Sequence, residues 1–307
     1  MTDQRATGVM DRVGFAVTVM VLTDLTLSIA DALIKATLAA MPLSQFIFLR
    51  SVLTIPLLVL IVRLRYPGLS LRPVRPGWAA LRSAMLLASL LLYYAALPQM
   101  DLSMAAAAYY TIPLFITLFS AVLVREVVGP RGWVGVAFGF AGVLLMLKPE
   151  AGALNLHALM PLGAALLYAL AMVVTRTKAR SENAFVLALV FNLIALVIGG
   201  VATLASLGSA TAEPGLFAGP WLAMGVLDWA LILFLTCTMI VGSVGTAVAY
   251  QSAPSAIVST WDFSYLAFSV VWGVLIFSER LDLLSALGIA MIVTAGLLVI
   301  RRPTPAG

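Results

Sequence analysis

Four polar side chains in the first apolar segment of the chain repeat at helical spacing. Asp24, Ser28, Asp31 and Lys35 are separated by four, three and four residues, which places them along one face of an α-helix. Ionisable groups within an apolar helix are costly in a membrane, and they mark substrate or ion pathways by default. The stripe therefore predicts a polar wall of a substrate-binding cavity. For Asp31 and Lys35 a second interpretation is an i, i+4 ion pair that only supports the helix, whereas Asp24 has no such local partner.

Arg50 is the second buried charge that the sequence predicts. It lies about two helical turns into the next apolar segment, at a depth similar to that of Asp31. A guanidinium at that depth requires a partner. Two roles remain open, an ion pair with Asp31 between helices or the binding of a substrate carboxylate, and Lys35 is an alternative cation for the carboxylate.

A carboxylate and aromatic side chains occur together near residue 262. Trp261 and Tyr265 share a helical face and Asp262 is adjacent to that face, a combination that can hold an ammonium group through charge and cation–π attraction. The alternative is an aromatic packing stripe with an Asp at a kink, and Trp272, farther along it, is expected to anchor at the membrane interface. Further phenols that could bind a polar ligand are those of Tyr93, Tyr94, Tyr109, Tyr110, Tyr168 and Tyr250.

The sequence contains no recognisable catalytic or metal-binding constellation. The chain has one histidine and one cysteine, and neither a zinc-type cluster nor a Gly-rich phosphate loop of the Lys-Ser/Thr type is present. We therefore expect no enzyme activity, no cofactor and no bound metal.

The elements that must position these residues are membrane helices. Hydrophobic residues make up 63% of the 307 residues, charged residues 10%, and the mean hydropathy is +1.10, far from the composition of a soluble domain. The net charge of +5 comes from short loops and does not indicate nucleic-acid binding. Ten apolar segments are expected near 13–38, 42–62, 77–97, 102–124, 131–147, 157–176, 183–207, 226–250, 254–277 and 281–300.

Basic residues predict the orientation of the ten segments. With both termini in the cytoplasm, 13 of the 18 Lys and Arg residues fall in inside segments and 3 (Lys35, Lys148 and Arg280) in outside segments, while Arg50 and Arg82 lie within helices. The positive-inside rule favours this arrangement in a bacterial-type inner membrane. The inside residues are Arg5, Arg12, Arg63, Arg65, Arg72, Arg75, Arg125, Arg131, Arg176, Lys178, Arg180, Arg301 and Arg302.

The two halves of the chain resemble each other. Glu126 and Glu279 each end an apolar segment, and Gly135 and Gly288 follow at the same offset of 153 residues. An odd number of helices per half makes the halves inverted, which is a ground plan of secondary transporters with a binding site between the repeats. We predict an all-α integral membrane protein of ten transmembrane helices, with one five-helix repeat at 1–150 and a second, inverted one at 151–307.

These signatures resemble the drug/metabolite transporter superfamily, specifically EamA-domain permeases. The residues that show the resemblance are Tyr93-Tyr94-Ala95-Ala96-Leu97, Ala105-Ala106-Ala107, Pro113-Leu114-Phe115, Leu123-Val124-Arg125-Glu126 and Gly142-Val143-Leu144-Leu145, with Tyr250, Pro254, Ser278-Glu279, Gly288 and Gly296 in the second half. The resemblance implies secondary transport of small metabolites. It does not specify a substrate.

The charged and aromatic residues predict the substrate class. Acidic groups in the first and ninth segments favour a small zwitterionic or cationic metabolite, similar to an amino acid, that is exported by alternating access. The alternatives are a proton-coupled exporter of cationic drugs or amines, and a permease for nutrient uptake. The expected partners are the small molecule, alone or with protons, and the lipid bilayer, and the chain is expected to act as a monomer or a homodimer.

Overall fold

The computed structural model describes residues 3–38, 41–123, 129–147, 156–179, 182–207, 220–252, 261 and 264–300, and within these ranges it is helical. A 3-10 turn at Leu97–Gln99 follows the third helix. The helices are α1 Asp3–Leu38, α2 Leu43–Arg65, α3 Pro76–Ala96, α4 Leu102–Tyr109, α5 Ile112–Leu123, α6 Pro130–Leu147, α7 Leu156–Thr177, α8 Ala184–Leu207, α9 Val226–Ser252, α10 Ser264–Phe277 and α11 Leu283–Ile300.

Ten apolar stretches among the described residues match the ten predicted segments. Six are long and apolar enough to cross a bilayer, and four shorter apolar helices complete the set, so the prediction of an all-α membrane protein is confirmed. Hydrophobic side chains such as Leu227, Leu275 and Leu283 are largely exposed on these helices, as expected of surfaces that face lipid rather than water.

The fourth apolar stretch is broken into two helices. Its first part, α4, ends at Tyr109, and α5 begins at Ile112. Pro113 stands at the second position of α5 and has no N–H to donate to the Tyr109 carbonyl four residues earlier, so a continuous helix would lose that bond. The break lies next to Tyr109 and Tyr110, whose rings contact each other and those of Tyr93 and Tyr265.

Helices of the first half pack mainly against helices of the second half. Helix α6 packs along α11, α2 along α8, α3 along α7, and α1 along both α9 and α10. Exchange of the halves maps α6–α11 and α2–α8 onto themselves, α3–α7 onto α1–α9, and α1–α10 onto the contact of α7 with α4 and α5, a pattern that a two-fold repeat predicts. The predicted division at 150/151 falls outside the described residues and stays a prediction.

Small residues allow the closest of these helix pairs to form. A Cβ on Gly142 of α6 would lie 2.8 Å from the carbonyl oxygen of Gly288 on α11. A Cβ on Gly245 of α9 would overlap the hydroxyl of Thr23 on α1. Gly142 and Gly245 therefore lie on close-packing helix faces, because only a residue without a side chain fits at either contact.

Candidate substrate site between the two halves

The predicted polar stripe of α1 faces the segment 264–279 of the second half. The Ser264 hydroxyl donates to Asp24 at 2.7 Å, and the Trp272 indole donates to Ser28 at 3.0 Å. A chain of polar contacts thus joins the two halves along one helix face. The expectation that Trp272 anchors at the membrane interface is wrong, because its N–H donates into the bundle.

We call this line of polar contacts between α1 and residues 264–279 the seam. Asp31 lies at its middle, among tyrosines. The Tyr265 hydroxyl donates a short hydrogen bond to the Asp31 carboxylate. The Tyr265 and Tyr93 hydroxyl oxygens lie 3.1 Å apart, and both side chains are buried. A carboxylate from α1 and phenols from α3 and α10 therefore form one hydrogen-bonded group across the interface between the halves.

Six tyrosines form a continuous ring cluster around this group. The Tyr110 ring stacks on that of Tyr265 with centroids 5.0 Å apart, and the Tyr93 and Tyr109 centroids are 4.8 Å apart. Aromatic pairs at such distances stabilise each other beyond their buried area. Aromatic π faces and phenol hydroxyls therefore lie side by side in one cluster. The remaining contacts connect Tyr94 to Tyr93 and Phe46, Tyr109 to Tyr110, and Tyr168 to Tyr109.

Arg50 enters the cluster from α2. It is 1% exposed, its guanidinium lies 5.3 Å from the centre of the Phe46 ring, and it interacts electrostatically with Tyr94. It interacts with Asp31 electrostatically, but the ion pair found in the described part of the chain is Lys35–Glu279. The hypothesis of a direct Asp31–Arg50 bridge is therefore wrong in this conformation, because the two charged groups do not come within ion-pair distance, and the Asp31 carboxylate accepts from Tyr265 instead.

Lys35 lies at the predicted outer end of the seam and connects the two halves there. Its ammonium donates to Glu279 at 2.9 Å and to the Met100 carbonyl at 2.8 Å. Glu279 also accepts from the Leu102 amide at 2.6 Å and from the Ser103 hydroxyl at 2.8 Å. We call these five residues the Glu279 clasp. The alternative of an Asp31–Lys35 ion pair within α1 is wrong, since Lys35 reaches across to the other half.

The clasp favours a charged carboxylate. Burial alone would raise the pKa of Glu279, but hydrogen bonds from Lys35, the Leu102 amide and Ser103 outweigh burial and hold that pKa below its ordinary value. The Leu102 and Ser103 amides lie in the first turn of α4 and have no acceptor within that helix, so they donate to Glu279. The helix dipole also stabilises an anion at this end of α4. The clasp is therefore an ion pair and a helix cap at once.

The opposite end of the bundle is joined by a looser contact. Glu182 accepts hydrogen bonds from the Val74 amide at 3.0 Å and from the Arg75 amide, and the Arg75 guanidinium reaches the Lys178 carbonyl at 3.3 Å. These groups are exposed, in contrast to the buried Glu279. Exposed contacts of this kind contribute less to stability than buried ones.

Most predicted site residues meet in the seam, but not all of them. Trp261 is 48% exposed and does not belong to the tyrosine cluster. Asp262 and the side chain of Tyr250 lie outside the described residues, so the predicted cation site near 262 stays a prediction. Glu279 was absent from the predicted site residues, although the repeat offset pointed to it.

The comparisons with known proteins fit a transporter. Residues 14–148 match the model of the EamA-like transporter family. The chain belongs to this family. It is thus an EamA permease of the drug/metabolite transporter superfamily, and a transporter rather than an enzyme.

Similar proteins cover most or all of the permease. A pseudopaline exporter of Pseudomonas aeruginosa is 26% identical over 94% of this chain and 96% of its own length. A riboflavin transporter of Rhizobium johnstonii is 30% identical over 68% of this chain and 65% of its own. A crystal structure superposes with a TM-score of 0.60 at 20% identity, over 95% of this chain and 99% of its own, which supports the fold alone.

Proposed function

We propose that the permease moves small zwitterionic or cationic metabolites, similar to amino acids, by alternating access at the seam between its halves. The observation that supports this proposal is the tyrosine cluster, which lies around a half-buried carboxylate, Asp31, and a buried guanidinium, Arg50, on consecutive helices. Opposite charges in one apolar surrounding match a ligand that has both charges. The proposed substrate-binding set includes Asp24, Ser28 and the tyrosines of the seam.

Export is the direction that we propose, since a relative that matches nearly the full length of the chain is a pseudopaline exporter. The riboflavin transporters favour a second candidate, a flat heteroaromatic substrate. Stacked rings such as Tyr110 and Tyr265 could sandwich a substrate of that kind. The two candidates differ in charge, so one assay distinguishes them.

Counterflow into proteoliposomes tests the proposed substrate class. Vesicles loaded with unlabelled amino acids should accumulate labelled amino acids, and amines should compete, because the seam supplies carboxylates and phenols for an ammonium group. The same assay with riboflavin and with succinate, each with and without a pH gradient, provides the comparison. Exchange of succinate or riboflavin without exchange of amino acids or amines would contradict the proposal and leave the transporter fold intact.

The orientation with both termini in the cytoplasm is also part of the proposal. In a background in which the exposed Cys237 is replaced by Ser, Ser278→Cys should react with a membrane-impermeant maleimide added to whole cells. Pro130→Cys should react only after the cells are opened. Both positions are exposed, so a difference in reaction reports the side of the membrane, and the reverse pattern would overturn the assignment.

A further inference from the structure

The buried guanidinium of Arg50 has one edge that binds nothing in the described part of the chain. Arg50 is 1% exposed, and its Nε and Nη2 atoms have no hydrogen-bond partner there. A buried polar group without a partner costs free energy, and a charged one costs more. Such a group in a native structure indicates strain, a function or an absent ligand.

The two unpaired nitrogens are the pair that recognises carboxylates. Nε–H and Nη2–H point in parallel from the same edge of the planar guanidinium, and a carboxylate accepts from both with its two oxygens. The Phe46 ring lies against the guanidinium, and Tyr94 interacts with it electrostatically. The Nε–Nη2 edge thus lies in an aromatic surrounding, and that surrounding leaves both nitrogens without a hydrogen bond.

No other group of the seam takes this role. The cation that the sequence offered as an alternative, Lys35, is bound to Glu279 and to the Met100 carbonyl. Asp31 accepts from Tyr265, and it is not ion-paired with Arg50 in the described part of the chain. The seam therefore has one buried cation with an unused bidentate edge, close enough to a carboxylate for the two charges to interact.

We propose that the Nε–Nη2 edge of Arg50 binds the carboxylate of the transported molecule, which must also bring a positive group. The inference rests on the proposed function. It narrows the proposed substrate class from amines and zwitterions to zwitterions alone. A ligand with only a carboxylate is repelled by Asp31. A ligand with only an amine leaves the edge of Arg50 empty. An α-amino acid or a larger amino-carboxylate satisfies both charges.

Matched ligands test this inference on the purified full-length protein. Alanine, leucine and phenylalanine, each as the free amino acid and as its amide, are titrated while thermal unfolding is followed. The amides keep the ammonium group and the side chain but lose the carboxylate charge. We expect the wild type to bind at least one free amino acid about tenfold more tightly than its amide, which is the scale of one charge-assisted hydrogen bond.

The Arg50 variants determine whether this preference depends on the guanidinium. Arg50→Gln should remove the preference, and Arg50→Lys should restore part of it, because lysine keeps the charge without the two parallel donors. Arg82→Gln is the matched control, since Arg82 donates to Thr175 outside the tyrosine cluster and should leave the preference unchanged. A merely structural arginine would alter stability without altering carboxylate preference.

Two results would overturn the assignment. One is a wild type that binds no free amino acid more tightly than its amide, and the other is an Arg50→Gln variant that keeps the wild-type preference. If amides and amines are transported in the counterflow assay while either result holds, the proposed function stands and the role of Arg50 is wrong. If succinate or riboflavin is transported instead, the proposed function itself fails.

Discussion

Glu279→Gln is expected to open the end of the permease that the Glu279 clasp holds closed. Glutamine keeps the size of the side chain but removes the charge that pairs with Lys35 and faces the start of α4. Removing one partner of a buried ion pair costs about 3 kcal/mol, and somewhat less when the other partner can reach water. Lys35 is 13% exposed, so we expect a loss of about 2 to 3 kcal/mol, or roughly 30- to 150-fold in the population of the closed end.

Labelling of a buried cysteine measures this opening. Ser28 is fully buried on the seam, and Ser28→Cys, in the Cys237→Ser background, should react slowly with a maleimide in the wild type and much faster with Glu279→Gln. Glu182→Gln is the control, because that carboxylate also accepts two backbone amides but lies exposed at the other end of the bundle. Equal labelling rates for wild type and Glu279→Gln would contradict a role of the clasp in closure.

The clasp also predicts a pH dependence of stability. The pKa of Glu279 is lowered from 4.5 in the folded protein, so its contribution to stability is fully present above about pH 4.5 and is lost as the pH falls through the lower folded value. Asp101 has the opposite shift, because burial and then the charge of Glu279 raise its pKa. The thermal midpoint of the wild type should fall more steeply below pH 4.5 than that of Glu279→Gln.

The sequence predicted the helices and the face of α1 but not what that face contacts. Asp24, Ser28 and Lys35 are four to eleven residues apart, and helical periodicity alone places them together. Their partners Ser264, Trp272 and Glu279 are at least 240 residues away in the chain. Pairing over that distance depends on how the halves pack, which no local pattern encodes.

Depth along a helix was predicted better than rotation about its axis. Asp31 and Arg50 do interact electrostatically, as their similar depth implied. The group that donates to the Asp31 carboxylate, however, is the hydroxyl of Tyr265 and not the guanidinium of Arg50. The break between α4 and α5 shows the reverse case. Pro113 was a local signal for it, yet its consequence, the entry of Tyr109 and Tyr110 into one ring cluster, required the whole fold.

Asp24 is the residue whose charge we expect transport to need most. Its side chain is 1% exposed and accepts a hydrogen bond from Ser264 at the start of α10. The sequence offered no partner for it within its own helix, and the structure provides one, Ser264, from the other half. The surroundings of a buried carboxylate at a contact between the halves must change whenever the halves move relative to each other. We therefore expect the charge of Asp24 to affect both the binding of the ligand and the conformational change of alternating access.

Asp24→Asn is expected to lower the initial rate of counterflow by about two orders of magnitude, equivalent to roughly 3 kcal/mol, with unchanged insertion and folding. Asparagine has nearly the same volume and can still accept from Ser264, so the change removes charge and little else. Asp24→Glu should keep part of the rate. Asp228→Asn is the matched control, because Asp228 only accepts from the Gly225 amide before α9. Transport by Asp24→Asn at the wild-type rate would make Asp24 a structural residue of the seam, and the proposed binding set would then begin at Ser28.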